Sequence, residues 1–97
     1  MQVQVIIGNA GPGKNTTLQE IQADLARQEI EVPIVVGAAY TTPYFLNLIA
    51  SHAIAGAKYF LADDCTNFQI KAVLDLAAKE EKSGLPDYLV VHLVRQT

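Results

Sequence analysis

Apolar and polar positions follow two different periods along the chain. Short runs rich in β-branched apolar residues predict four strands, over residues 3–8, 31–36, 58–63 and 88–94. Between these runs, apolar residues recur at spacings of three and four, which predicts three helices. The helices are expected over 16–28, from 41 or 42 to about 56, and from 66 or 67 towards Gly84. The elements therefore follow the order β-α-β-α-β-α-β.

Strands that alternate with helices of this length predict an α/β fold. The expected architecture has three layers, with a four-stranded parallel sheet and helices on both of its faces. Pro33 lies inside the second predicted strand and indicates an edge position or an irregular start for it. A length of 97 residues is suited to one domain with one sheet, and the sequence shows no repeat or linker. Residues 1–97 are therefore predicted to form a single minimal α/β domain.

Residues that cap helices stand at the expected helix starts. The candidate caps are Thr17 with Glu20 for the first helix, Thr41 or Thr42 for the second, and Thr66 or Asn67 for the third. The inward-facing positions expected in the third helix are Phe68, Val73, Leu74 and Leu76.

Composition and charge exclude several classes of function. Apolar residues make up 51% of the chain and charged residues 18%, which is typical of a globular protein. The net charge is −3 and the basic residues form no stripe, so no nucleic-acid partner is expected. The chain starts without the pattern of a signal peptide, and no apolar run reaches the ~20 residues of a membrane span. A single cysteine excludes an internal disulfide, and a cytoplasmic location is predicted.

The stretch IIGNAGPGKNTT, residues 6–17, lies between the first predicted strand and the first helix. In a phosphate-binding loop, glycines let consecutive backbone N–H groups surround an anion at the amino end of a helix, and a lysine reaches the terminal phosphates. Gly8, Gly11, Gly13 and Lys14 stand in this context. An alternative stays open, in which the glycines only shape a turn, Lys14 is an exposed lysine and Thr16 only caps the helix.

GNAGPGKNTT resembles the loop of adenylate kinases and related nucleoside monophosphate kinases of the P-loop NTPase superfamily, which follows GxxGxGKGT. The matching residues are Gly8, Gly11, Gly13, Lys14 and Thr16, while Asn15 replaces a glycine. The resemblance implies that these five residues and Asn15 bind phosphate. It also implies a bound nucleotide, ATP or another, together with Mg²⁺.

The stretch YFLADDCTNFQ, residues 59–69, is similar to the family's strand that ends in FLLDGFPRT. Asp63 stands at the position of the family's aspartate, so the resemblance implies that Asp63 helps to hold Mg²⁺ through water. It further implies a strand order 2-3-1-4, with the glycine loop at the carboxyl ends of the first and third strands. In the alternative interpretation, Asp63 and Asp64 are ordinary residues at a strand end, and one of them caps the next helix.

Several departures indicate that the resemblance is to a truncated and degenerate form of the family. Phosphoryl transfer needs concentrated positive charge, commonly several arginines with Mg²⁺. Asn67 stands where the family has a phosphate-binding arginine, and the chain has no counterpart of the lid arginines. Arg27 is expected roughly 20 Å from the start of its helix. We therefore expect a domain that binds a nucleotide or other phosphorylated ligand without a complete kinase active site, and we assign no catalytic residue.

Two other functions remain open from the sequence. The helix over residues 43–55 is apolar around most of its circumference, which predicts burial against a second copy and hence a homodimer. On that basis the chain is a non-catalytic, oligomerising interaction module. A weaker alternative is a phosphotransferase completed by a partner that donates arginines.

Cys65, His52 and His92 lack the neighbours that a nucleophile or a metal site requires, and we expect no chemistry from them.

Overall fold

A computed structural model describes residues 1–7, 14–79 and 88–95, and for residues 14–17 it describes the backbone only. Four strands, three α-helices and a short 3₁₀ helix lie in these residues. In chain order they are β1 (Gln2–Ile6), α1 (Lys14–Arg27), β2 (Ile34–Val36), the 3₁₀ helix (Gly37–Ala39), α2 (Thr42–Ile54), β3 (Tyr59–Cys65), α3 (Asn67–Ala78) and β4 (Val90–Arg95). The predicted α/β class and the alternation of strands with helices are confirmed.

The four strands form one parallel sheet in the order β1-β4-β3-β2. The predicted edge position of the strand that follows Pro33 is confirmed. The predicted order 2-3-1-4 is wrong, because β1 pairs with β4 at the outside of the sheet. β4 therefore lies between β1 and β3, and the carboxyl ends of the first and third strands are not neighbours.

The side chains of β1 and β4 explain why β1 takes the edge. In β1, Gln2 and Gln4 alternate with valines and are exposed, so one face of this strand is polar. In β4, Val91, Leu93 and Val94 have no exposed surface. A strand that is apolar towards both faces gains more from a central place, whereas a strand with one polar face is suited to an edge that helices cover on one side only.

The sheet separates two apolar clusters, and the helices are divided between them. α1 packs against β3 and β4 on one face, where Leu18 and Leu25 meet Leu61 and Val94. α2 and α3 contact each other and cover the other face, where Phe45 and other core residues pack on the sheet. The three predicted layers are therefore present, with one helix on one face and two on the other.

Two of the three predicted caps agree with the structure. The Thr41 hydroxyl accepts a hydrogen bond from Tyr44 N at 3.3 Å, and Thr66 forms a capping box with Gln69 at the start of α3. The cap predicted at Thr17 is wrong, because α1 begins at Lys14 and Thr17 lies inside it. Thr16 lies inside α1 as well, so it is not the helix cap of the alternative interpretation.

α3 turns a different face to the sheet from the one predicted. Gln69, Ile70 and Val73 are buried, whereas Phe68 is 80% and Leu74 45% exposed. The predicted inward orientation of Phe68 and Leu74 is therefore wrong. Residues 69, 70 and 73 share a helix face at spacings of one, three and four, and Phe68 and Leu74 lie outside that stripe.

None of the helices in the described ranges combines the length and apolar character that a bilayer crossing requires.

Candidate functional site

The carboxyl edge of the sheet, where all four parallel strands end, is also where the three helices begin. α2 and α3 start directly after the 3₁₀ helix and β3, and α1 starts at Lys14 after β1. None of the three helices has an acidic residue in its first turn. The partial positive charge at each helix start is therefore not offset from within the same helix.

Only part of the predicted phosphate-binding loop can be placed. Gly8, Gly11 and Gly13 lie outside the described residues. Lys14, Asn15 and Thr16 form the first turn of α1, and only their backbone is described. The first-turn N–H groups of an α-helix have no partner within that helix, so this backbone provides donors at the position that a phosphate site requires.

Asp63 lies at the end of β3, on the face that α1 covers. Together with Leu18, Gln19 and Ile34 it lines an open concavity of about 250 Å³. The concavity joins the second turn of α1 to the first residue of β2 and to Asp63, near the carboxyl end of β3. Although β4 separates β1 from β3, α1 crosses β4 and reaches β3. The amino-terminal half of α1 and Asp63 therefore lie close together despite the changed strand order.

The chain turns sharply directly after Asp63. Asp64 N donates a hydrogen bond to Asp63 Oδ1 at 2.8 Å, and Asp64 adopts φ +54°. The pairing of β3 with β4 also changes register between Ala62 and Cys65. A positive φ is uncommon for a residue with a side chain, and aspartate tolerates it better than most. Two half-buried carboxyl groups are thereby held in succession at the carboxyl edge.

Cys65 completes this turn and is unsuited to nucleophilic chemistry. Its side chain is fully buried. Burial raises the pKa of the Cys65 thiol to about 12, and the neighbouring Asp63 and Asp64 carboxylates add to the increase. The thiol is therefore protonated near neutral pH, and its role is to pack in the core.

Gln69 fixes the segment that follows β2 against the start of α3. Its side chain is 1% exposed, and Nε2 donates to Gly37 O at 2.7 Å and to Tyr40 O at 3.0 Å. Its Oε1 atom accepts from Thr66 N at 2.9 Å. A Cβ atom on Gly37 would lie 2.9 Å from Gln69 Oε1 and 3.1 Å from Cys65 Sγ, so the chain passes directly beside the end of β3. This link could not be predicted from the sequence because its partners are far apart along the chain.

Exposed aromatic side chains stand at the same edge. The rings of Tyr40 and Tyr44 stack with centroids 5.2 Å apart and planes 11° apart, and their exposed fractions are 39% and 53%. Phe68, in the first turn of α3, is more exposed still. The apolar pattern predicted an inward position for Phe68 and burial against a second copy for the helix that contains Tyr44. For Tyr40 and Tyr44, the neighbouring Gly37, Thr41 and Pro43 mark a helix start and were the signal that could have placed these two rings at the sheet edge.

The two arginines lie at opposite ends of the molecule. Arg27 is at the last turn of α1 and forms an exposed ion pair of 2.6 Å with Asp24. Arg95 ends β4 at the carboxyl edge, where it is the register partner of Cys65. One arginine therefore stands at the edge that holds the candidate site.

The donor chemistry around Asp63 is compatible with Mg²⁺ only as a partial site. Carboxylate oxygens are the protein ligands that Mg²⁺ prefers, and Asp63 and Asp64 supply them. Within the ranges described, no three His, Cys, Asp or Glu side chains come together to hold a metal ion. Phosphate oxygens and water would have to complete the coordination shell, as is usual where Mg²⁺ accompanies a nucleotide.

Comparisons with protein-family models, with curated proteins and with solved structures found no match to this chain.

Proposed function

We propose that the carboxyl edge of the sheet binds a nucleotide or another phosphorylated ligand, without phosphoryl transfer by this chain alone. In this proposal Gly8, Gly11 and Gly13 surround the phosphates. Lys14 supplies a positive charge that attracts the phosphates. Asn15 and Thr16 contribute their backbone N–H groups at the start of α1.

The observation that carries the proposal is the concavity between α1 and β3. Its lining includes Leu18, Gln19 and Asp63, so the second turn of α1 and a carboxylate share one opening near the edge where parallel sheets bind ligands. A phosphate at the helix start would meet N–H donors, and Mg²⁺ bound to that phosphate would face the Asp63 carboxylate, directly or through water. Mg²⁺ would neutralise phosphate charge, and without it the two carboxylates would repel the ligand.

We propose binding alone because positive charge is sparse among the residues that the structure describes at this edge. Transfer of a phosphoryl group depends on cations placed around the transferred group. Arg27 is held at the far end of α1 by Asp24, which leaves Lys14 and Arg95 as the basic residues assigned to the edge. A partner that donates arginines would change this conclusion, and activity that appears only when a partner is added would identify such a case.

The test is isothermal titration of ATP, GTP and tripolyphosphate, each with Mg²⁺, into the wild-type protein and three variants. Lys14→Ala is expected to weaken binding by at least tenfold. Asp63→Asn is expected to reduce the difference in ligand affinity between titrations with Mg²⁺ and titrations without it. Lys71→Ala, which removes an exposed lysine from α3, is the matched control and should bind as the wild type does.

Circular dichroism should show the same helix content in all four proteins. Absence of binding by the wild-type protein to all three ligands would overturn the proposal, and so would equal affinities of the Lys14→Ala and Lys71→Ala variants.

A second candidate is the oligomerising interaction module, and the exposure of α2 favours it. Phe45, Ile49 and Ala53 form the buried stripe of this helix, while Ile54 is 86% exposed at its last residue. The predicted homodimer would cover this end of α2. Light scattering coupled to size-exclusion chromatography tests it: a dimer that becomes monomeric in Ile54→Lys supports this function, and a wild-type monomer at all concentrations removes it.

A further inference from the structure

The stacked pair Tyr40 and Tyr44 is an exposed feature that the fold holds in a fixed position. Tyr40 precedes α2, and its backbone oxygen accepts a hydrogen bond from the buried Gln69 amide. Tyr44 lies in the first turn of α2, where its N–H is bonded to the Thr41 hydroxyl. Both ends of the pair are therefore anchored through the backbone, and the rings need not be buried for the chain to fold.

The arrangement of the two rings is suited to a flat ligand. Their planes are within 11° of parallel, whereas the core pair Phe45 and Phe60 meets at 76°. A parallel pair presents a ring face, and another planar ring can extend the stack. Tyr44 is 53% exposed, which leaves surface free for such a contact. Stacking on an aromatic side chain is a common way for proteins to bind nucleobases.

The pair also lies on the same edge as the proposed phosphate site. The 3₁₀ helix that leads to Tyr40 begins at Gly37, which is in contact distance of Cys65, and Cys65 follows Asp63 by two residues. A single ligand with a planar ring and a phosphate chain would therefore find a partner for each part at one end of the sheet.

We propose that the face of Tyr44, supported by Tyr40, is a stacking platform for the base of a bound nucleotide. This inference rests on the proposed function and makes it more specific, because a phosphorylated sugar or inorganic phosphate has no ring to stack. The contact recognises a planar aromatic ring and makes no hydrogen bond to the base edge. It therefore predicts weak discrimination among bases, with purines bound more tightly than pyrimidines because they offer more stacking area.

The test compares ligands that differ in the presence of a base. ATP, GTP, CTP, UTP and tripolyphosphate are titrated with Mg²⁺ into the wild-type protein, Tyr44→Ala, Tyr44→Phe and Tyr88→Ala. Tyr88 is the matched control, because it is 55% exposed and precedes β4 at the opposite edge of the sheet. Alanine favours helix at position 44, so Tyr44→Ala is expected to fold, and urea denaturation checks that it does.

We expect ATP to bind the wild-type protein more tightly than tripolyphosphate. Tyr44→Ala should weaken ATP binding by about 5- to 150-fold, which is the range for loss of one base–aromatic stack, and should leave tripolyphosphate binding unchanged. Tyr44→Phe and Tyr88→Ala should bind both ligands as the wild type does.

The outcomes separate the two proposals. If tripolyphosphate binds and Lys14→Ala abolishes its binding, but Tyr44→Ala does not change the affinity for ATP, the platform is wrong and the phosphate site stands. If the wild-type protein binds neither tripolyphosphate nor any nucleotide, the phosphate site is wrong and the platform with it. If Tyr44→Ala instead dissociates an oligomer and leaves nucleotide affinity unchanged, the pair belongs to a protein interface.

Discussion

The side-chain amide of Gln69 donates a hydrogen bond of 2.7 Å to the backbone oxygen of Gly37, which precedes it by 32 residues. The amide is buried, and each of its two polar atoms has a partner in the backbone. A buried amide is stable only when it is hydrogen-bonded. This one contact therefore closes the segment after β2 onto the start of α3, and it positions the Tyr40 backbone at the carboxyl edge.

Removal of this amide is expected to destabilise the fold. Gln69→Ala leaves the Tyr40 oxygen and the Thr66 N–H without the Gln69 partner and leaves the Gly37 oxygen with the Tyr40 N–H alone. It should lower the free energy of unfolding by about 2–3 kcal/mol. Urea denaturation followed by circular dichroism measures the loss. Gln28→Ala, at an exposed glutamine, should stay within about 0.5 kcal/mol of the wild type. Equal stability of the two variants would show that the Gln69 hydrogen bonds contribute nothing.

Gly37 is expected to resist substitution because its neighbours leave no room for a Cβ atom. A Cβ atom there would lie 2.9 Å from Gln69 Oε1 and 3.1 Å from both Cys65 Cα and Sγ, so Gly37→Ala forces the chain apart and should cost about 1–3 kcal/mol. Thermal unfolding measures this cost.

The control for Gly37→Ala is Gly56→Ala, where the same change acts by a different mechanism. Gly56 has φ +96° and no atom within 4 Å of an added Cβ, so its cost comes from the backbone alone. Cys65→Ala should relieve part of the loss in Gly37→Ala and none of the loss in Gly56→Ala, because only the former contacts the Cys65 side chain. Equal relief in both variants would contradict the steric explanation.

The local signals in the sequence predicted the elements better than their arrangement. Apolar periodicity placed four strands and three helices, Thr41 and Thr66 marked two helix starts, and Pro33 marked an edge. Each of these signals depends on residues that are near one another in the chain. The strand order depends on which strand gains most from burial on both faces. The polar face at Gln2 and Gln4 carried that information, but the predicted order rested on the family resemblance alone.

The candidate site was predictable only in part, because some of its contacts join residues that are far apart in the chain. Asp63 could be assigned to the carboxyl edge because every strand of a parallel sheet ends there. The contacts of Gln69 with Gly37 and Tyr40 could not be predicted, since a glutamine in an apolar helix gives no indication of a partner three elements earlier. The exposure of Phe68 could not be predicted either, because an apolar side chain is expected to be buried when the packing of its helix is unknown.

The end of α1 offers a substitution that should stabilise the protein. Ile30 N bonds to Leu25 O at 2.9 Å and Glu29 N to Ala26 O at 3.0 Å, which is the Schellman arrangement, and Glu29 takes the left-handed position with φ +64°. Glycine has no Cβ penalty there, so Glu29→Gly should raise the free energy of unfolding by about 0.5–1 kcal/mol.

The matched control for Glu29→Gly is Glu31→Gly. Glu31 is also exposed and is not among the described residues with positive φ, so its replacement should lower stability by adding freedom to the unfolded chain. Thermal unfolding of the two variants should therefore move the midpoint in opposite directions. A fall in both variants would show that the left-handed position carries no strain.

His92 should make the stability of the fold depend on pH. Its side chain is 8% exposed on β4, between its register partners Gln4 and Leu61, and among the residues described its Nδ1 atom is buried without a hydrogen-bond partner. Burial lowers the pKa of His92. The unfolded chain therefore binds a proton at a higher pH than the folded chain does, since the unfolded histidine has a pKa of about 6.5. The stabilising contribution of neutral His92 is complete above that pH and is lost as the pH falls towards the folded pKa.

His92→Leu should remove this dependence, because leucine fills a similar volume and cannot take up a proton. As the pH falls below 6.5, the unfolding free energy of the wild type should decrease relative to that of His92→Leu. The decrease should be at most about 1.4 kcal/mol per pH unit. Urea denaturation between pH 5 and 8 measures it, and comparison of the two proteins cancels the titration of the carboxylates they share. A constant difference between wild type and His92→Leu across this range would show that the buried imidazole is not the group that titrates.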